Sequence, residues 1–268
     1  MVVVGDSQVA TPTYPTEEHG LAAEAIARFY AQQPCVEAVL QVGSCARGRA
    51  SRDSCLDLAV LVRPEVLSTE RSALERQWEE FEATDPTCLV LRSVGKCSFA
   101  ECDFTDGWFA PEPRGPTSGP DEFELAIGNY LVYGAPLWQT GEYLESLKAR
   151  WLPYYDEWLR GKRLAEVVHF GRNNLGHIEP FVRRGLYFQA FRRLYDASRE
   201  FVQALFVSRR VYPIAYDKWI REQVMDILGL PEVYRELVSL FEISHFESDE
   251  LIEKARALER MYDQYVGL

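Results

Sequence analysis

The chain has 268 residues, 47% of them hydrophobic and 26% charged, which is ordinary for a protein that buries a globular core. A formal charge of -12 argues against a nucleic-acid partner, whose phosphate backbone calls for a basic surface. No apolar run is long enough to cross a bilayer, and the opening MVVVGDSQVA lacks the basic region of a signal peptide, so a soluble cytoplasmic protein with no membrane partner is expected.

After a loose start ending at Pro12 and Pro15, Leu21, Ala22, Ala25, Ile26, Phe29 and Tyr30 recur at helical spacing, predicting a helix over 17–33 that Pro34 stops. CVEAVLQV (35–42) and LDLAVLV (56–62) read as paired strands, joined by the small-residue loop GSCARGRASRDS. A helix over 67–84 follows Pro64, then two further strands over 88–94 and 97–104. The stretch TDGWFAPEPRGPTSGPDEF, with four prolines and three glycines, reads as a long loop over the sheet edge. A helix carrying Phe123, Leu125, Ile127 and Leu131 comes next.

Beyond Trp138 the texture turns helical, with candidates over 143–160, 164–183, 186–209, 217–228, 231–241 and 248–265. Strands first and helices afterwards predict an α/β domain over 1–138 and an all-α bundle over 139–268, with the transition near 134–152. The aromatic helices suit an intramolecular core or a homodimer interface equally. The six cysteines are scattered, none in a Cys-x-x-Cys pair, and with four histidines lacking metal-binding spacing they make no zinc site.

The most specific chemistry lies in the first strand pair. Gly43 lets backbone approach a ligand closely, Ser44 adds a hydroxyl beside backbone amides, and such a turn can hold phosphate oxygens. Asp57, opening the second strand, can hold a hard cation against that phosphate. Arginines 47, 49 and 52 decorate the intervening loop and are candidate phosphate contacts, or a solvated basic turn.

Gly43, Ser44 and the segment Ser54-Cys55-Leu56-Asp57-Leu58 resemble the nucleotidyltransferase superfamily, in which a strand, a Gly-Ser turn and an Asp-x-Asp strand build a two-metal site. The order of a strand-built half and a helical half is similar to the antibiotic nucleotidyltransferases. The resemblance covers roughly residues 35–105. It implies a mixed-sheet α/β fold, magnesium (Mg2+) as cofactor, an NTP such as ATP as substrate, and transfer of a nucleoside monophosphate to a small hydroxylated acceptor. A third carboxylate is then expected on a later strand. Asp103 is the first choice as metal ligand or general base and Glu101 the alternate, the other reading being solvent-facing strand carboxylates.

One motif position departs from the pattern. Cys55 stands where the family has its first aspartate, and sulfur is a poor magnesium ligand. Asp53 has the same parity and is the candidate replacement. A catalytically inactive relative that binds a nucleotide or a partner protein is therefore the alternative to an enzyme.

In the helical half, Asp217 is expected to cap a helix, placing Lys218 in its first turn, where the dipole disfavours a cation. Lys218 and Tyr216 are candidate nucleotide contacts, or a surface lysine and a core aromatic. Asn173, Asn174 and His177 form a polar stripe that either lines an acceptor pocket or closes a buried network.

Overall fold

A computed structural model describes residues 11–267. The chain is α/β: a mixed four-stranded sheet accompanied by many helices. It forms two compact units. The first holds the described residues up to Phe109 with Ala126–Leu152, and the second holds Ala110–Leu125 with the described residues from Pro153 onward. Among the described residues no helix is long and apolar enough to cross a membrane.

In the first unit, helix α1 (Glu17–Ala31) leads to β1 (Val36–Gln41). A one-turn helix α2 (Gly43–Ala46) and a loop connect β1 to β2 (Leu56–Val62), which runs antiparallel to it. Pro64 ends β2 and starts α3 (Pro64–Thr84), where its missing N–H costs nothing. The expected strand over 88–94 is not formed. Residues Pro86–Leu91 make helix α4 instead, because Asp85 caps it: Oδ1 accepts from the Thr87 and Cys88 amides at 2.9 and 3.3 Å, and Pro86 pre-sets the first turn. A cap followed by proline outweighs a short apolar run.

Strand β3 (Ala100–Thr105) pairs parallel with β2, and β4 (Ala135–Gln139) pairs antiparallel with the other side of β1, giving the order β3-β2-β1-β4. Sequence patterning missed β4. Its Pro136 is tolerated because β4 is an edge strand. Leu56, Leu58, Val60, Val62, Ala100 and Phe104 line one sheet face and pack with Ala23, Ile26 and Tyr30 of α1. That burial fixes the register and directs Asp57, Glu101 and Asp103 to the opposite face.

Helix α5 (Phe123–Ile127) continues into a π-helical turn, Gly128–Val132. The expected single helix over 143–160 is two, α6 (Tyr143–Trp151) and α7 (Glu157–Gly176), broken around Pro153 and restarted by Asp156, whose side chain accepts from the Leu159 amide. The expected helix over 164–183 likewise divides at His177 into α7 and the short α8 (Ile178–Val182).

In the second unit, α7 packs along α9 (Tyr187–Arg209), with α10 (Pro231–Leu240) and α11 (Glu250–Met261) completing one apolar core. The proline-rich segment belongs to this unit: the Pro116 carbonyl accepts from Asn173, and the Thr117 carbonyl from Arg193. Beneath it, Arg163 of α7 donates to both oxygens of Glu124 at 2.9 Å and also bonds Asp121. Gln203 of α9 donates to the same two carboxylates.

A second buried pair joins Arg114 to Glu200, which also accepts from Asn174 at 3.0 Å. Burial pushes the Glu200 carboxyl from 4.5 up to about 7, against the Asn174 bond and the Arg114 charge. Its folded-state pKa lies above its unfolded one, so the native state binds the extra proton, and stability falls as pH rises from about 4.5 to 7. Urea melts across that window are expected to lose stability by on the order of 1 kcal/mol per pH unit, a slope that Glu200→Gln removes.

Candidate functional site

The site is built on the β1–β2 connection. Gly43 has φ +67°, which favours glycine, and a Cβ there would overlap Oδ2 of Asp57. Two independent constraints thus demand glycine, and the missing Cβ lets the Asp57 carboxylate pack against the turn. Ser44 follows, half-buried, at the start of α2. Arg47 reaches back to donate to the Gly43 carbonyl at 3.0 Å, bracing the turn. Arg49 is exposed. Gly43→Ala is expected to cost about 1–2 kcal/mol through the left-handed backbone and to displace Asp57, read as a lowered thermal midpoint.

Gln41 went unremarked in the sequence although it is the polar residue of an otherwise apolar strand end. It is fully buried, and its Nε2 donates to the Asp57 carbonyl at 2.8 Å and the Val42 carbonyl at 3.2 Å. The backbone of Asp57 is thereby locked to β1, and the Val42 amide adds a second bond to the Asp57 carbonyl.

Across the parallel pair, Asp57 stands in register with Glu101, and Ala59 with Asp103. In-register residues share a face, so Glu101 rather than Asp103 is the direct neighbour of Asp57. Asp103 accepts a 2.8 Å bond from the Tyr130 hydroxyl, whose ring stacks on Phe109. Nothing in the local sequence pattern could have announced Tyr130, which lies on a later π-helical turn.

The Cys55 thiol lies two residues before Asp57 in the chain, near its carboxylate. Burial pushes it up to about 12, and the nearby Asp57 and Glu101 charges act in the same direction. Cys45 on the other side of the turn is also pushed up to about 12, by burial and then by Asp57. Both thiols therefore stay protonated at neutral pH, and Asp57 sits between neutral sulfur groups.

Asp53 does not fill the gap. Its Oδ1 accepts from the Lys96 amide at 3.1 Å and lies against Gly95, where a Cβ would overlap it, while Arg52 donates to Val94. The segment preceding β2 is thus fastened to the turn before β3. Among the described residues no three histidine, cysteine or acidic side chains are gathered closely enough to hold a metal ion. The donor set consequently does not fit a two-metal arrangement: one shared carboxylate is a protonated thiol, and the substitute is bound to backbone.

Tyr216, Asn173, Asn174 and His177 of the helical half make structural contacts. Tyr216 is buried, with its hydroxyl 3.5 Å from Glu124. Asp217 caps no helix, because regular structure begins only at Ile220 and Trp219 has φ +58°. The cause is Gln223, whose amide nitrogen donates to the Ala215 and Lys218 carbonyls and whose oxygen accepts from the Ile214 amide, folding 214–218 into a loop. Lys218 is exposed on that loop. The Asn173–His177 stripe is a closed network: Asn174 bonds Glu200, and His177 Nδ1 lies 2.7 Å from the Asn173 carbonyl.

No family model matches the chain, and neither does any curated protein. Among solved structures it is similar to the crystal structure of a nucleotidyltransferase-like protein from Exiguobacterium sibiricum 255-15, with 14% identity and a TM-score of 0.47, over 92% of this chain and 76% of that one.

Proposed function

We propose that the protein is a nucleotide-binding relative of the nucleotidyltransferases that no longer performs metal-dependent transfer. The observation that carries this reading is Cys55 itself, a thiol that burial and the nearby Asp57 and Glu101 charges keep protonated, at the position where the family motif has a carboxylate. What supports retained binding is the Gly43–Ser44 turn, whose left-handed glycine and adjoining hydroxyl are kept although the neighbouring carboxylate is not. Triphosphate would meet the turn, with Ser44 and Arg49 as its nearest side-chain candidates, and magnesium would not be needed to bind it.

The second reading is an active enzyme moving a nucleoside monophosphate from an NTP to a small hydroxylated acceptor. It is favoured by the register pairing of Asp57 with Glu101, with Asp103 two residues further along the same face. Substituting Cys55→Asp separates the two. A carboxylate there, within reach of Asp57, is expected to cost about 1–2 kcal/mol through like-charge repulsion, and millimolar magnesium should restore that loss in a thermal melt while leaving the natural protein unmoved. Pyrophosphate release from ATP with a panel of hydroxylated acceptors should be absent in the natural protein. Release by the natural protein would replace the binding reading with the enzymatic one.

A further inference from the structure

We propose that an aromatic face of the helical unit is the contact surface of a homodimer. Phe188, Phe191 and Tyr195 recur at helical spacing along α9, and Phe241 and Phe246 lie against them from the end of α10 and the loop after it. The rings form an unbroken series. Between centroids, Phe188 is 5.1 Å from Phe246, Phe246 5.6 Å from Phe191, Phe191 6.4 Å from Phe241, and Phe241 6.0 Å from Tyr195. Val238 joins Tyr195 and Phe241 around a cavity of about 240 Å³ at the Tyr195 end.

Much of this face stands in water. Phe188 is 80% exposed, Val238 42%, and Tyr195 and Phe241 39% each. Contiguous apolar surface of this kind is uncommon on monomeric proteins and marks an interaction site. At about 200 Å² per large side chain, these four alone present on the order of 400 Å². That is close to the nonpolar share of a standard interface, which buries about 800 Å² per partner.

The charges beside the rings select a second copy of this chain as the occupant. Around α9, Phe191 lies about 60° to one side of Phe188 and Arg192 about 40° to the other. Phe241 and Phe246 both meet Phe191, so the exposed Arg192 borders the face on the flank away from them. The exposed Glu242 and Glu247 directly follow those two rings and stand at the other flank. Arg192 is held only loosely, its Nε 3.7 Å from Asp196, beyond hydrogen-bond distance. A twofold axis running along α9 sets each Arg192 against Glu242 and Glu247 of the second copy while the aromatic faces meet. Opposite charges on opposite flanks thus make the surface complementary to itself. Carboxylates on one flank disfavour an anionic lipid surface as the occupant.

Sedimentation velocity of the full chain tests the proposal, in about 0.15 M salt to screen the repulsion between two chains of charge -12. Across about 1–100 μM the weight-average mass is expected to rise to twice the chain mass. Phe188→Asp, at a position too exposed to endanger the fold, should weaken association by about tenfold or more. Arg192→Glu should weaken it comparably, and so should the pair Glu242→Arg with Glu247→Arg, because like charges then meet across the axis. An equimolar mixture of those two variants should dimerise again, since every flank pair in the mixed dimer is opposite in charge. A natural chain that stays monomeric throughout overturns the proposal and leaves the face to a different partner. A dimer that Phe188→Asp leaves intact, or a mixture as weak as its components, overturns it as well.

Discussion

Replacing Arg163 with methionine is expected to destabilise the helical unit by about 3–5 kcal/mol, the loss typical of removing one partner from a buried charge cluster. Arg163 is 1% exposed and is the cation shared by Asp121 and Glu124, both buried. Methionine fills similar volume but offers no donor. Gln203 and Tyr155 would still bond the carboxylates, yet two negative groups would remain in the interior without a counter-charge. Urea denaturation measures the loss. Arg163→Met combined with Glu124→Gln should be more stable than Arg163→Met alone, because one buried charge is then gone. A loss below about 1 kcal/mol for the single substitution would mean the cluster is solvated in a way its burial does not convey.

The second large effect is expected at Gly171. In most helix interiors a substitution away from glycine gains up to about 1 kcal/mol of propensity. Here the gain is overruled. A Cβ at Gly171 would overlap the hydroxyl of Tyr262, which is buried, donates to the Ala197 carbonyl at 3.0 Å, and meets the Phe201 ring edge-on at 5.1 Å. Valine at this position forces α7 from the C-terminal π-helical turn, Tyr262–Val266, that supplies Tyr262. Overpacking of about 1–3 kcal/mol joins the loss of a buried hydrogen bond worth about 1 kcal/mol. Gly171→Val should therefore lose about 3 kcal/mol in a thermal or urea melt, and Gly171→Ala a smaller part of it. Stabilisation by alanine would show that helix propensity outweighs the close approach.

The parts of this molecule legible in the sequence are those that local pattern controls. LDLAVLV is the strand Leu56–Val62 to the residue, and the apolar spacing from Leu21 to Tyr30 places α1 within two residues of its observed end at Ala31. The Gly43–Ser44 turn and the common face of Glu101 and Asp103 follow from turn chemistry and strand alternation. Errors arose where a short apolar run competed with a stronger local signal. Residues 88–94 read as a strand, but the Asp85–Pro86 cap makes Pro86–Leu91 helical. The strand Ala135–Gln139 was not read at all, and its Pro136 is tolerated because β4 lies at the sheet edge.

The details of the site were illegible for a different reason, since they are long-range. The Lys96 amide that holds Asp53, the Tyr130 hydroxyl on Asp103 and the Gln41 amide behind Asp57 come from segments that only the fold brings together. Shared parity made Asp53 a candidate replacement for Cys55, and its bond from the Lys96 amide now holds its carboxylate against the turn before β3. Asp217 differs, because Gln223, a few residues further along the chain, bonds the preceding loop and displaces the expected cap.

Calorimetric titration of the natural protein with each NTP, with and without magnesium, tests the central claim most directly. The account predicts binding whose affinity is the same in both conditions, because Cys55 leaves the cation without its shared carboxylate and the turn alone meets the phosphates. Binding that requires magnesium would contradict it, showing that Asp57 and Glu101 assemble a metal site without help from position 55.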